Sequence, residues 1–152
     1  MRLWVVVLTS NLIGVFVVTW VIANTTIFEP EVKNMFFEIG LKAMQPDFTT
    51  VLLSAIFAGW LIALMVWLLP AAETARTWVI IIITYIVGLG GLSHVIAGSA
   101  ETFYLVAVGN ISFTTYFLGF LVPSLIGNII GGVSIVAAIN HAQVVSGSRK
   151  KK

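Results

Sequence analysis

Charge is what this sequence has least of. Eight Lys and Arg and six Asp and Glu make up 9% of 152 residues, where a soluble domain carries roughly 25%. Too little polar surface remains to cover a water-soluble fold. There is no cysteine, which excludes disulfides, thiol nucleophiles and thiolate metal sites. With only two histidines, no metal centre and no cofactor are expected. The one block of like charge, Arg149-Lys150-Lys151-Lys152, is four residues long; it reads as a topology signal, and no nucleic-acid partner is expected. No HExxH motif, acidic pair on one helix face or serine–lysine arrangement suggests an intramembrane enzyme.

What is present is apolar sequence, at 59% of the chain and a mean hydropathy of +1.07. No charge occurs from Leu3 to Phe28, from Phe48 to Ala72, from Thr77 to Ala100, or from Thr102 to Ser148. A spanning helix needs about 20 apolar residues. The first three tracts each fit one crossing. The last, at 47 residues, holds the end of one crossing, a polar turn and another crossing. The chain is therefore expected to be an all-α integral membrane protein, a single membrane domain of about four transmembrane helices. Their expected ranges are 3–23, 48–69, 77–108 interrupted near 88–98, and 116–144, followed by a basic tail at 145–152. Arg2 precedes a run longer than a signal-peptide core, so that run is read as the first crossing.

Between the first two crossings, Asn24 to Asp47 reads as a loop with a short helix. Pro30 suits its first turn and Glu31 its positive end, and Val32, Met35, Phe36, Ile39 and Met44 give it an apolar face for the membrane surface. Pro70 to Arg76 is a tight turn. Cytoplasmic flanks carry excess Lys and Arg. That rule puts the basic tail, the Pro70–Arg76 turn and Arg2 inside, and the acidic Asn24–Asp47 loop outside.

The third crossing contains Gly88-Leu89-Gly90-Gly91-Leu92-Ser93-His94-Val95-Ile96-Ala97-Gly98-Ser99-Ala100-Glu101. Glycine is a poor helix former, and an ionisable group in hydrocarbon is costly. Such a stretch is tolerated where it faces a cavity inside the protein. The residues thus predict a helix that breaks in mid-membrane, with His94 at the narrow part of a permeation pathway. The bland reading is a structural histidine bonded to a neighbouring backbone group. Leu89, Leu92 and Phe117 are wall candidates that periodicity does not separate from lipid-facing residues. Small and polar residues in the first crossing, Ser10, Asn11 and Gly14, read as helix packing, with a pore-lining Asn11 as the other reading.

Three segments carry a resemblance. Gly59-Trp60-Leu61-Ile62-Ala63-Leu64-Met65-Val66-Trp67 is similar to an Asn-Leu-x-Val-Cys-Leu-Ala-x-Trp tract, His94-Val95-Ile96-Ala97 to a His-Ser-Ile/Val-Ala-Asn motif, and Gly127-Asn128-Ile129-Ile130-Gly131-Gly132 to a Gly-Asn-Ile-Ile-Gly-Gly motif. Together and in this order they resemble the formate/nitrite transporter family, in its YfdC-type branch. The resemblance implies the C-terminal two-thirds of an aquaporin-like six-helix channel protomer. The four crossings match the third to sixth, so the chain is expected to be a fragment or a truncated product. It also implies a pentamer in the inner membrane, each protomer carrying its own pore for small monovalent anions such as formate or nitrite, or their conjugate acids.

By that resemblance the central histidine is His94, with apolar constrictions on either side and an ordinary pKa of about 6.5 suited to proton donation. Lys42 resembles the family's vestibule lysine. Asn128 is expected to bond the broken loop; Gly127, Gly131 and Gly132 are expected to let helices approach. Gly59 and Gly98 stand where the family has asparagines, and Glu101 is an added carboxylate. Glu101 pairs with Lys42, pairs with a group from a missing crossing, or reaches the outer interface. The competing functional reading is a non-transporting membrane scaffold or remnant.

Overall fold

The computed structural model describes residues 2–149, without the side chains of residue 140 and residues 143–149. The basic side chains expected in the tail, and that of Gln143, lie outside the described residues. Those described residues form helices and no strand: α1 (Arg2–Asn24), α2 (Pro30–Met44), α3 (Phe48–Leu68), α4 (Arg76–Leu89), α5 (Val95–Ala107), α6 (Phe113–Tyr116), a π-turn (Phe117–Leu121) and α7 (Val122–Arg149). Three stretches are long and apolar enough to cross a bilayer: Arg2–Asn24, Phe48–Leu68 and the continuous run Phe113–Ile139. Helices α4 and α5, of 14 and 13 residues, are each about 20 Å long at 1.5 Å per residue. Neither alone spans a hydrocarbon core of about 30 Å.

Three of the scarce charges close helix ends. Asp47 caps α3 by accepting from the Thr50 N–H at 2.8 Å. Its hydrogen bonds with Thr50 hold the carboxyl below its ordinary range. The cap is therefore complete at neutral pH and is lost only as pH falls through that lowered value. The Lys33 ammonium donates to the carbonyls of Ala23 and Thr25 at the end of α1. Arg76 Nε donates to the Leu69 carbonyl at the end of α3, 3.1 Å away. Both cations meet the negative end of a helix dipole.

Helix α2 differs from its expected place on the membrane surface. Gly40 lies against the Glu101 carbonyl of α5, and Phe36 meets the ring of Tyr104 at 5.8 Å. Val32, Phe36 and Met44 are half-buried, while Met35 and Ile39 stay exposed. The apolar face is thus divided, with its larger part docked on α5. On its other side α5 packs against α1, where Phe16 stacks on Phe103 at 4.0 Å and Phe103 meets Tyr116 at 5.4 Å.

The last long run begins at Phe113, three residues before the expected 116, because the Ser112 hydroxyl accepts from the Thr115 N–H and caps it. Pro123 then lacks an N–H for the turn before it. The Val122 N–H reaches back five residues to the Phe117 carbonyl, and the helix widens into the π-turn.

The most extensive helix pair is α3 with α7. Small residues let the two backbones touch. A methyl added at Gly127 would meet the Leu52 carbonyl and Ala55, one at Gly131 would overlap the Ile56 carbonyl, and one at Gly59 would overlap the Asn128 backbone. Trp60 adds a bond from its indole N–H to Ser134 Oγ at 2.7 Å. We expect Gly131→Ala to destabilise the protein by roughly 1–3 kcal/mol, the usual cost of overpacking. Gly14→Ala, on α1 with open space around it, is expected to be neutral or to stabilise by up to about 1 kcal/mol. Thermal unfolding of both variants in detergent checks the contrast.

Candidate functional site

The site is an interruption, and its local chemistry explains why it stops and restarts where it does. Helix α4 ends in a Schellman turn. The Gly91 N–H bonds the Gly88 carbonyl at 3.1 Å and the Leu92 N–H bonds the Val87 carbonyl at 3.0 Å. That turn needs a left-handed residue, and Gly91 supplies it with φ +57°. Helix α5 restarts at Val95, inside the stretch 88–98 expected to be interrupted, because His94 serves as its N-cap with φ −107° and ψ 126°.

The five residues between the two helices, 90–94, would leave backbone polar groups bare. The fold supplies partners from α3 and α7. The Ser93 N–H donates to Ser54 Oγ at 3.0 Å. Asn128 takes three bonds at once. Its Oδ1 accepts from the Val95 N–H at 2.9 Å, and its Nδ2 donates to the carbonyls of Ser93 at 3.0 Å and Ala55 at 2.8 Å. One side chain therefore joins α7, α3 and both ends of the restart.

The His94 ring folds over the first turn of α5, where its Nδ1 accepts from the Ala97 N–H at 3.4 Å. An accepting Nδ1 places the neutral ring's proton on Nε2, which is then a donor. The ring borders a cavity of about 180 Å³ lined by Gly59, Ile62 and Ala63 of α3, His94, and Asn128 and Gly132 of α7. A liquid water occupies about 30 Å³, so the space suits a molecule of a few heavy atoms. Its wall is apolar apart from one imidazole and one amide already engaged with backbone.

Of the eight candidate residues, the structure brings together His94, Asn128 and Gly59. The other five lie elsewhere. Leu92 closes the Schellman turn, and Leu89, 75% exposed, ends α4 on its open side. Gly98 is buried where a methyl would strike the Phe120 ring. Glu101 is exposed on α5. Lys42 lines a separate cavity of about 430 Å³ on α2 with Glu38, Ile39, Leu41 and Gln45. No ion pair joins Lys42 to Glu101 among the described residues. Ile62 and Ala63 were not among the expected wall residues, although they lie three and four positions after Gly59 and so share its helix face. Ser54 carried no sequence signal. Among the described residues no three His, Asp or Glu side chains gather as a metal set.

Comparison with known proteins gives a family and two relatives. A family model described as formate/nitrite transporter matches residues 1–142. Inner membrane protein YfdC of Escherichia coli (strain K12) is 38% identical over 151 residues, covering 99% of this chain and 49% of that protein. Uncharacterized transporter YrhG of Bacillus subtilis (strain 168) is 28% identical over 155 residues, covering 98% of this chain and 57% of that protein. The chain thus spans about half the length of the curated relatives it matches. No solved structure gives a significant match.

Asn128 is the site's most constrained side chain. Each of its three bonds is worth about 1 kcal/mol, so Asn128→Ala is expected to cost roughly 2–4 kcal/mol in thermal unfolding. Amide hydrogen exchange at Val95, read in the same samples, is expected to accelerate while exchange at mid-α1 does not.

Proposed function

The chain belongs to the formate/nitrite transporter family, and we propose that it forms part of a transmembrane pathway for small monovalent anions or their conjugate acids, with His94 at its centre. One observation carries the proposal: a glycine-permitted break presents an imidazole to a small, otherwise apolar cavity between α3 and α7. Moving a bare anion into such a space costs several kcal/mol or more in lost hydration. Three features offset that cost. The Nε2–H of His94 donates to a carboxylate or nitrite oxygen. The N-terminus of α5 adds its positive dipole end. A proton carried to the anion makes a neutral acid that crosses the apolar parts with little penalty.

The rest of the reading extends from the relatives. One is named a transporter and another an inner membrane protein. We place this chain in the inner membrane, with α4 and α5 as one interrupted crossing. The basic C-terminal end and Arg2 lie on the cytoplasmic side, and the acidic segment around α2 lies outside. Lys42, exposed in that outer segment, draws anions toward the mouth. The family's pentameric assembly, with a pore in each protomer, completes the proposal, and the chain acts as a transporter rather than an enzyme.

The test is uptake of formate by proteoliposomes. Uptake is expected to rise as external pH falls, because the neutral acid becomes more abundant. A hydrogen bond to a charged group is worth about 1.5–3 kcal/mol, so His94→Ala is expected to lower the rate roughly ten- to a hundredfold. Equal flux in wild type and His94→Ala would remove the imidazole from the pathway.

A further inference from the structure

We propose that Glu101 is the charge-selecting residue of this pathway: a carboxylate on the lumen face of α5 that favours the uncharged conjugate acids over their bare anions. The proposal rests on the reading of His94 as a pathway residue and adds a substrate class to it.

Register is the first observation. Ala97 and Glu101 lie three and seven residues after His94, and a helix returns to nearly the same face after seven. Both are exposed, while Val95, Gly98, Ser99, Thr102 and Leu105 of the same helix are buried. The open side of α5 thus runs from His94 to Glu101 past an alanine.

Depth is the second. Seven residues of helix carry Glu101 about 10 Å from His94. With the break near the middle of the bilayer, the hydrocarbon continues for about 15 Å. The sequence agrees, since Phe103-Tyr104-Leu105-Val106-Ala107-Val108 prolongs the apolar helix beyond Glu101 before Gly109 ends it. A carboxylate at that depth is too costly against lipid and belongs on a polar lumen.

The third is the lack of a counter-charge among the described residues. Helix α1 brings no charge from Leu3 onward, and the chain from Thr102 to Ser148 brings none. Helix α2 meets α5 through Gly40, while its Glu38 and Lys42 line the separate cavity. Within the described residues the Glu101 charge is therefore uncompensated and is free to act on what passes. A unit charge within about one helical turn changes the relative entry of an anion and a neutral molecule by roughly tenfold.

Because the chain has no cysteine, one introduced thiol is unique. The full chain in vesicles is treated with membrane-impermeant cationic (ethyltrimethylammonium) and anionic (ethylsulfonate) methanethiosulfonates, with rates normalised to a free thiol. Ala97→Cys and Glu101→Cys are expected to react, and Val17→Cys, exposed on α1, is not. In Ala97→Cys the cationic reagent is expected to win by roughly tenfold, and adding Glu101→Gln should bring the ratio near one. Ala100→Cys, another exposed position on α5, gives a second reporter should Ala97→Cys fail to fold. Thiols at 97, 100 and 101 that react no faster than Val17→Cys, or a charge ratio untouched by Glu101→Gln, would overturn the proposal. No uptake is read, so this outcome is separate from the fate of the His94 transport test.

Discussion

A helix that stops inside a bilayer must find partners for its own backbone, because no water is there to supply them. In the proposed crossing that requirement falls on residues 90–94, where the structure meets it in full view. The Schellman turn closes the carbonyls of α4 from within. The amides and carbonyls of the restart are closed from outside, by Ser54 and above all by Asn128. A primary amide is suited to the task because it donates and accepts at once without a net charge. It reaches the break only because Gly59 lets the Asn128 backbone approach α3, with Gly127 and Gly131 closing the same seam on either side. The glycines of α7 and the glycines of the break are thus parts of one device.

That device leaves a single uncommitted polar group facing the cavity. Asn128 is engaged with backbone, and the buried hydroxyls of Ser99 and Thr102 on α5 are satisfied in the same way, while that of Ser124, one turn before Asn128, has no partner among the described residues. Ser99 donates to the Val95 carbonyl and accepts from Tyr116 at 2.8 Å. Thr102 donates to the Gly98 carbonyl at 2.7 Å. His94 gives its Nδ1 to the first turn of α5, which leaves Nε2–H as the ring's free donor. A cavity whose polarity is concentrated in one donor discriminates by that donor, which is why the imidazole carries the functional reading.

Much of this was legible in the residues. Charge-free tracts of spanning length gave the membrane class. The glycine cluster around a histidine marked the place where regular helix fails, and the Gly-Asn-Ile-Ile-Gly-Gly run marked its partner. Boundaries shifted where a cap decided them, as at His94 and Ser112, since a side chain that bonds its own backbone starts a helix earlier than hydropathy suggests. Other features depend on tertiary contact that periodicity does not carry. Lys33 reads as a loop charge until the end of α1 is seen beside it. Gly98 reads as a lumen position until the Phe120 ring is found against it. The face of α2 reads as membrane-bound until α5 covers it.

The widened turn at Phe117–Leu121 has a consequence for how this sequence can change. Such a turn holds one residue more than a regular helix, and each residue rotates the downstream helix by about 100°. Tyr116 on one side is bonded to Ser99, and Asn128 on the other is bonded to Val95, so both are keyed to the same short stretch of α5. Deleting one residue between them would turn the wide turn into regular helix and leave Asn128 on nearly the same face, whereas deleting a second would swing it by about 100°. The twelve-residue offset from Tyr116 to Asn128 therefore contains one residue of slack, stored in the wide turn, and none beyond it.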